Sequence, residues 1–402
     1  MIVYVLDSDE NEIEGVDLVE LRPDRTCQKT HSLPYLLTEQ DPHAGASYVD
    51  IAYPKSILSF KKIYPHIKWI RSFHGPYQGV EQTEKLIYEM IEEGPDLVKI
   101  CFDMISIGEF LSLVHLFERY RDKLILFGRG EAAEATRLLS YRLGAPWIYT
   151  SKNRFCGQIP LVDLLEVYQI HRLSRDTALY GLIKGEKSPP SIGYRLYNPI
   201  FAKQNIDALY MNLVLNENEL EAVMHHPLFN GFSITMPFKE AAFHLALDLD
   251  PVARECGAIN TYVKGKGYNT DIEILKQLHL SHKKVAILGG GGVAKAFSNY
   301  LKKQNRVTVF LRNLEKGVIF QDAVGVNVAQ LTNSIQEVDV LIDTLPVTGT
   351  IEHLENVSTV IDMKVSPDPF YAQMGGYISG KEVFLKQGMK QLELFFGCRT
   401  FL

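Results

Sequence analysis

Residues 283–313, KKVAILGGGGVAKAFSNYLKKQNRVTVFLRN, admit few folds: an apolar strand, a glycine turn, an amphipathic helix and a second strand follow one another in about thirty residues. That is a βαβ unit with a dinucleotide fingerprint. Gly289, Gly291 and Ala294 occupy the three positions of G-x-G-x-x-G/A. The first glycine permits the tight turn, the second lets a pyrophosphate approach the backbone, and the small third residue lets helix and sheet pack. Helix-start amides around Gly292 and Val293 then meet the phosphates. The second strand, VTVFL, ends in Arg312, where an NAD-type site carries an acidic residue for the ribose hydroxyls. Arginine there suits a 2′-phosphate, hence NADP; the alternative is an arginine that merely ends a strand in solvent.

The chain has 402 residues, enough for two or three domains. Short apolar runs recur ahead of the glycine turn: Ile2–Leu6, Asp17–Arg22, Tyr48–Ala52, Trp69–Phe73, Leu97–Phe102, Leu124–Gly128 and Trp147–Tyr149. Helix-period stretches (Gln82–Glu93, Ile107–Tyr120, Ala132–Leu143) lie between several of them, and such alternation predicts a parallel (β/α) barrel over residues 1–177. Glu20, Arg22, His74 and Lys99 stand at or near strand ends, where barrel enzymes place their chemistry; the bland alternative is polar residues closing strands at the surface. Only Asp7–Val16 joins the first two strands, and the stretch from Arg22 to Tyr48 offers PYLLTEQ alone as an element, so the barrel is expected to be abbreviated. The polar segment Arg172–Ala178 marks a domain boundary, Leu179–Ile183 opens a new strand, and GEKSPPSIGYRLYNP reads as a loop.

Hydrophobic residues at 46% and charged residues at 22% argue against disorder, and a formal charge of −6 argues against a nucleic-acid coat or a membrane-surface binder. Cys27, Cys101, Cys156, Cys256 and Cys398 are scattered and form no C-x-x-C pair, so neither a disulfide framework nor a metal site is indicated. A reducing cytoplasm is the expected compartment. The N-terminus lacks a signal-peptide pattern and no apolar stretch reaches membrane-spanning length. The expected partners are small molecules, with neither nucleic acid nor membrane; oligomeric state is open.

Residues 179–402 carry NGFSITMPFKE with Thr235 and Lys239, CGAINTY with Asn260, GYNTD with Asp271, the glycine turn, and KQG with Gln387. In that order they resemble shikimate dehydrogenase over essentially that family's whole length. The resemblance implies a catalytic pair, Lys239 and Asp271, beside the alcohol that is oxidised. Hydride transfer to or from a carbonyl needs a proton donor or acceptor at its oxygen, and a lysine can serve. Without the resemblance, Lys239 reads as a surface lysine at a helix start. The family's S-x-S-P-x-x-H-N substrate loop reads here SIGYRLYN, which keeps Ser191 and Asn198 but has Gly193 and Tyr197 at the second serine and the histidine. Tyr194 is a candidate to compensate, and the later family tyrosine aligns with Val365.

Residues 1 to about 177 resemble type I 3-dehydroquinate dehydratase. The matches are VELRPD with Glu20 and Arg22, IRSFHG with His74, DLVKICF with Lys99, EATRLLSYRLGAP with Arg137, and CGQIP with Gln158. The resemblance implies that Lys99 forms an imine with the substrate ketone, that His74 moves the proton and assists loss of water, and that Glu20 orients His74. Arg22, Arg137 and Gln158 would hold hydroxyls and carboxylate. Burial inside a barrel is expected to leave the Lys99 amine neutral enough to attack. Ala52 stands where that family carries a carboxylate, and Arg154 about where it carries a lid serine.

The fold expected is α/β: an abbreviated TIM-like barrel (1–177), then a two-lobed α/β dehydrogenase. Its substrate lobe spans 178–282, with 379–402 returning to it, and its Rossmann-type NADP-binding lobe spans 283–378. The pairing resembles the bifunctional dehydratase–dehydrogenases of the shikimate pathway. Two other readings stay open here: a dehydrogenase fused to a degenerate barrel, and a metabolite sensor without catalysis.

Overall fold

A computed structural model describes residues 1–6, 13–22, 24–26, 30–38, 40–154, 157–188, 191–348, 351–364 and 366–397. The chain divides into two compact units, Met1–Phe229 and Asn230–Leu402. Val365, Cys27, Cys156, Cys398 and much of Asp7–Val16 lie outside the described residues.

Parallel strands covered on both faces read as unbroken apolar runs, and the first unit is built on such runs. They form β1 (Ile2–Val5), β2 (Leu18–Leu21), β3 (Tyr35–Thr38), β4 (Tyr48–Ala52), β5 (Lys68–Gly75), β6 (Leu97–Phe102), β7 (Leu124–Gly128), β8 (Ile148–Ser151) and β9 (Ile159–Pro160). Every pairing is parallel, in the order β7-β6-β5-β4-β3-β2-β1-β8-β9. Sequential neighbours with β8 returning to β1 is the winding of a barrel, and Phe127 and Tyr149, 6.0 Å apart, bring the inner faces of β7 and β8 together. The expected PYLLTEQ element forms as β3. The abbreviation falls on the helices: among the described residues none lies between β1 and β4, and the first is α1 (Leu58–Ile63). α2 (Val80–Ile91), α3 (Ile107–Ser112), α4 (Val114–Arg119) and α5 (Ala133–Arg142) follow. The single helix expected over Ile107–Tyr120 breaks at Leu113; Ser106 and Glu109 start it with a reciprocal capping box.

Strand periodicity of two decides which side chains face inward. Leu18, Tyr48, Ile70, Leu97, Phe127 and Trp147 share one core cluster or pack against it. Glu20, Asp50, His74, Lys99 and Tyr149 keep step with them and face the same interior. The first unit closes with β10 (Ala178–Gly185), α6 (Gly193–Lys203) and β11 (Ala208–Leu215), a parallel βαβ. α6 arises inside the stretch read as a loop. Its signal was Tyr194, Tyr197, Asn198 and Phe201, all buried at helical spacing, which the neighbouring prolines and glycines masked. Asn198 clips α6 to β11, donating to the Tyr210 carbonyl at 2.9 Å and accepting from its amide at 2.8 Å.

After the one-turn α7 (Leu220–Met224), the second unit begins with β12 (Phe229–Ile234), α8 (Lys239–Leu245), β13 (Asp248–Leu249), α9 (Pro251–Cys256), β14 (Thr261–Val263), β15 (Lys266–Tyr268) and α10 (Glu273–Leu278). β14 pairs antiparallel with β12 and β15. CGAINTY turns sharply because α9 is capped at both ends. Asp250 accepts from the Ala253 amide at 2.7 Å, Pro251 fills the first turn, and Gly257 at φ 63 ends the helix left-handed.

β16 (Lys284–Leu288), α11 (Gly292–Leu301), β17 (Arg306–Leu311), α12 (Leu314–Val324), β18 (Asn327–Gln330), β19 (Ser334–Ile335), β20 (Val340–Asp343), β21 (His353–Leu354), β22 (Thr359–Asp362), β23 (Tyr377–Ile378) and α13 (Gly380–Phe396) complete the chain. Six of these strands form a parallel sheet ordered β18-β17-β16-β20-β22-β23. That is the 3-2-1-4-5-6 order of a doubly wound nucleotide-binding fold, with its switch point between β16 and β20. No helix among the described residues is long and apolar enough to cross a membrane.

Candidate active sites

The barrel interior opens into a cavity of about 190 Å³ lined by Glu20, Arg22, Arg25, His74, Lys99, Phe127, Arg129, Arg137, Tyr149 and Gln158, among others. All six barrel residues singled out in the sequence therefore meet in one place. Gln158 aims a buried Oε1 with no hydrogen-bond partner among the described residues. A small polyhydroxylated anion suits such a lining: four arginines for carboxylate, an amide and carboxylates for hydroxyls.

Lys99 is 3% exposed, and its Nζ donates to Asp50 Oδ2 at 2.7 Å with Glu20 at 3.8 Å. Burial by itself disfavours the ammonium, but the Asp50 and Glu20 carboxylates outweigh it and hold the pKa well above the usual lysine value. The expectation of a neutral amine is corrected accordingly. Desolvation alone would favour the neutral amine, and the opposing carboxylate comes from β4, 49 residues away in the chain. Glu20 accepts from Thr38 at 2.7 Å and leans toward Lys99 and Arg22; no hydrogen bond between Glu20 and His74 is present among the described residues.

His74 finds a different partner, one the sequence did not single out. Arg129, just past β7, donates from Nη2 to His74 Nδ1 at 3.2 Å and reaches Asp103 at 3.3 Å. A guanidinium only donates, so Nδ1 is unprotonated and neutral His74 carries its proton on Nε2. Desolvation in the pocket, then Lys99, Arg129 and Arg22, lower the His74 pKa to about 4 against the pull of Asp50. His74 lies exposed at the mouth, so water tempers that shift without reversing it.

Arg154, between β8 and β9, joins the barrel to α6. It pairs with Glu134 and with Asp163 at 2.9 Å, and donates to the Tyr194 hydroxyl at 3.2 Å. Arg195 grips the same buried Asp163 at 2.7 and 2.8 Å, and Tyr194 stacks on Tyr168 at 5.4 Å. The Tyr194 hydroxyl is thus engaged by guanidinium groups. Ser191 stands half-buried before α6, its Oγ accepting from the Gly193 amide at 3.3 Å. Tyr197 is core, edge-on to Tyr210 at 4.4 Å.

In the second unit Lys239 is the first residue of α8, and its Nζ donates to Asp271 Oδ2 at 2.6 Å. Asn260, fully buried, donates to Asp271 Oδ1 at 2.8 Å and fixes the carboxylate from the other side. Three sequence-predicted residues therefore form one constellation. Thr235 follows β12 and leads into α8, half-buried. Gln387 lies half-buried on α13, and one turn on, Gln391 bonds Ser233, the Asn260 carbonyl and Thr261 at 2.9, 3.1 and 2.9 Å. Gln391 belongs to no motif of its own, but its four-residue spacing from Gln387 puts both on one helix face.

Gly289 sits at φ 98 between β16 and α11, where a Cβ would meet Thr344 Oγ1 at 2.7 Å. Side chains placed on Gly291 or Gly292 would meet nothing within 4 Å, so open space fronts the first amides of α11, beside Val293. Ala294, wholly buried, closes the helix onto the sheet. This cradle fits a dinucleotide pyrophosphate. Arg312 follows β17, exposed, with no ion pair among the described residues. Among the described residues no group of three or more His, Cys, Asp and Glu side chains could hold a metal ion.

Fold and sites together define a class: a barrel carrying a buried amine, joined to a dinucleotide-dependent oxidoreductase. The family model of type I 3-dehydroquinase matches residues 29–175, and that of the shikimate dehydrogenase substrate binding domain matches residues 183–262. The bifunctional 3-dehydroquinate dehydratase/shikimate dehydrogenase, chloroplastic, of Arabidopsis thaliana is 26% identical over 473 residues, covering 95% of this chain and 78% of its own. The shikimate biosynthesis protein AroDE of Chlamydia pneumoniae is 29% identical over 375 residues, 87% of this chain and 78% of its own. Shikimate dehydrogenase (NADP(+)) of Thermoplasma acidophilum is 31% identical over 249 residues, 55% of this chain and 91% of its own. A shikimate dehydrogenase crystal structure in complex with NADP+ shares the fold, with a TM-score of 0.51 and 22% identity over 56% of this chain and 92% of its own. The chain belongs to the shikimate dehydrogenase family, with a type I 3-dehydroquinase domain ahead of it.

Proposed function

We propose that the first half of the chain dehydrates 3-dehydroquinate to 3-dehydroshikimate and the second reduces that product to shikimate with NADPH. The observation that carries the dehydratase half is Lys99, buried beside a carboxylate in a pocket that also holds His74 and four arginines. Residues 1–177 are taken as the dehydratase domain, 178–282 with 379–402 as the substrate lobe, and 283–378 as the NADP lobe. A reducing cytoplasm suits Cys101 and Cys256, both buried free thiols.

In the barrel, Lys99 must shed a proton before it attacks, and Asp50 is the acceptor in contact. The iminium formed at the substrate carbonyl is an electron sink for loss of the adjacent proton. His74 takes that proton at Nδ1, the nitrogen that Arg129 covers in the free protein, so substrate entry displaces Arg129. Glu20 holds charge balance beside Lys99; Arg22, Arg137 and Gln158 bind carboxylate and hydroxyls. In the second half, NADPH supplies the hydride. Lys239, oriented by Asp271 and Asn260, hands a proton to the carbonyl oxygen, while Thr235 and Gln387 bind the ring substituents. Gly289, Gly291, Gly292, Val293 and Ala294 cradle the pyrophosphate and Arg312 the 2′-phosphate.

Two expected results follow from this assignment. The acid limb of dehydratase kcat/KM, which reports the free protein's His74, should fall well below the ordinary histidine value of 6.5. Neutral His74 is the working form and its pKa is lowered, so activity persists as pH drops through about 6 to 5. Arg129→Met should move the limb upward; a limb at or above 6.5 in the parent protein would contradict the assignment. Arg312→Ala should weaken NADPH binding by about 1.5–3 kcal/mol, as for a hydrogen bond to a charged group, and leave NADH nearly unchanged. Equal losses for both cofactors, measured by calorimetry, would move Arg312 away from the 2′-phosphate.

A further inference from the structure

Beside Lys99 lies a hydroxyl that nothing in the preceding mechanism uses. Tyr149, on β8, is 3% exposed; its ring packs into the barrel core near Phe127 and Trp147 at 6.0 and 6.3 Å, while the residue also lines the catalytic cavity. The Lys99 Nζ stands 4.8 Å from the ring centroid. The hydroxyl is buried, with no hydrogen-bond partner among the described residues and with the Lys99 charge acting on it. A buried polar group without a partner calls for an explanation, and a place on the lining of the catalytic cavity supplies one here. Tyrosine adds only that oxygen to what phenylalanine would give the core.

We propose that Tyr149 is a further catalytic residue of the barrel, the group that carries protons to and from the substrate carbonyl oxygen while Lys99 forms its imine. The proposal rests on the dehydratase reading above. His74, bonded through Nδ1 to Arg129 at the mouth, is kept for the proton on the adjacent carbon. The phenol stands beside Lys99 on the cavity lining, on the side where the substrate carbonyl must meet the amine. Burial, with Glu20 and Asp50 nearby, keeps it protonated despite Lys99, so it meets the ketone as a donor.

The step balances as follows. Asp50 takes a proton from the Lys99 ammonium. The freed amine adds to the carbonyl carbon, the N–C bond forms, and the C=O π pair moves to oxygen, which takes the Tyr149 proton. The tyrosinate recovers a proton from the now cationic nitrogen, leaving a neutral carbinolamine. The nitrogen lone pair then expels the hydroxyl, which departs as water with the Tyr149 proton, and the iminium remains. The proton held by Asp50 returns to Tyr149, so ammonium and ketone have become iminium and water with both side chains restored.

Tyr149→Phe keeps the ring and removes the oxygen. The test is rapid-quench borohydride trapping on the full chain with 3-dehydroquinate, and separately with 3-dehydroshikimate, followed by intact mass; a melting midpoint matching the parent's establishes that the variant is folded. Adduct formation at Lys99 should slow by about 10²-fold or more, the range for loss of a general acid. A variant that traps at the parent's rate overturns the role of Tyr149 and leaves the imine reading intact. No adduct in the parent protein overturns both.

Discussion

Lys99→Met is expected to lower dehydratase turnover by about 10⁴-fold or more, because the imine is the electron sink for elimination and no other amine is proposed to form it. The same substitution strips Asp50 of its 2.7 Å partner deep in the barrel. Breaking a buried ion pair from one side costs about 3–5 kcal/mol, so a fall in melting temperature accompanies the loss of turnover. Lys99→Arg separates the two effects: a guanidinium keeps a cation beside Asp50 and forms no imine. Its melting point should stay nearer the parent's while turnover is lost as fully as in Lys99→Met. Measurable dehydration by Lys99→Arg would move the chemistry to another residue.

Lys239→Ala and Asp271→Asn should each depress dehydrogenase turnover by about 10²–10⁴-fold, the contribution of a positioned proton donor, with NADPH binding retained. The two side chains are 2.6 Å apart, and Asn260 holds the second Asp271 oxygen at 2.8 Å, so they act as one device. Their losses should not add: the double variant should resemble the worse single one. Steady-state turnover on 3-dehydroshikimate, with cofactor affinity measured separately, checks this. Additive losses would mean that lysine and carboxylate serve separate steps.

Both sites were legible in the sequence to different depths. Motif residues within a few positions of each other, such as the glycine turn after β16 or Lys239 at the start of α8, carry their geometry locally. Strand runs were legible because parallel strands buried on both faces are written as apolar blocks; PYLLTEQ was harder because its strand, Tyr35–Thr38, is four residues long and flanked by polar chain. What sequence could not supply is the partner that arrives from elsewhere. Asp50 reverses the expected charge of Lys99, Arg129 sets the tautomer of His74, and Asp163 ties two arginines together, each across a strand or loop with no fixed spacing. Tyr149 was hidden for another reason. Inside WIYTS it reads as one more aromatic of a buried strand, and only its place beside Lys99, with a hydroxyl that finds no hydrogen-bond partner among the described residues, marks it out.

The most direct test of the account supplies the full chain with 3-dehydroquinate and NADPH alone and follows NADPH absorbance, with a parallel reaction given 3-dehydroshikimate. The account predicts NADPH loss in both, and abolition of the first but not the second in Lys99→Arg. NADPH loss with 3-dehydroshikimate only would contradict it and leave a dehydrogenase carrying a barrel that does not turn over.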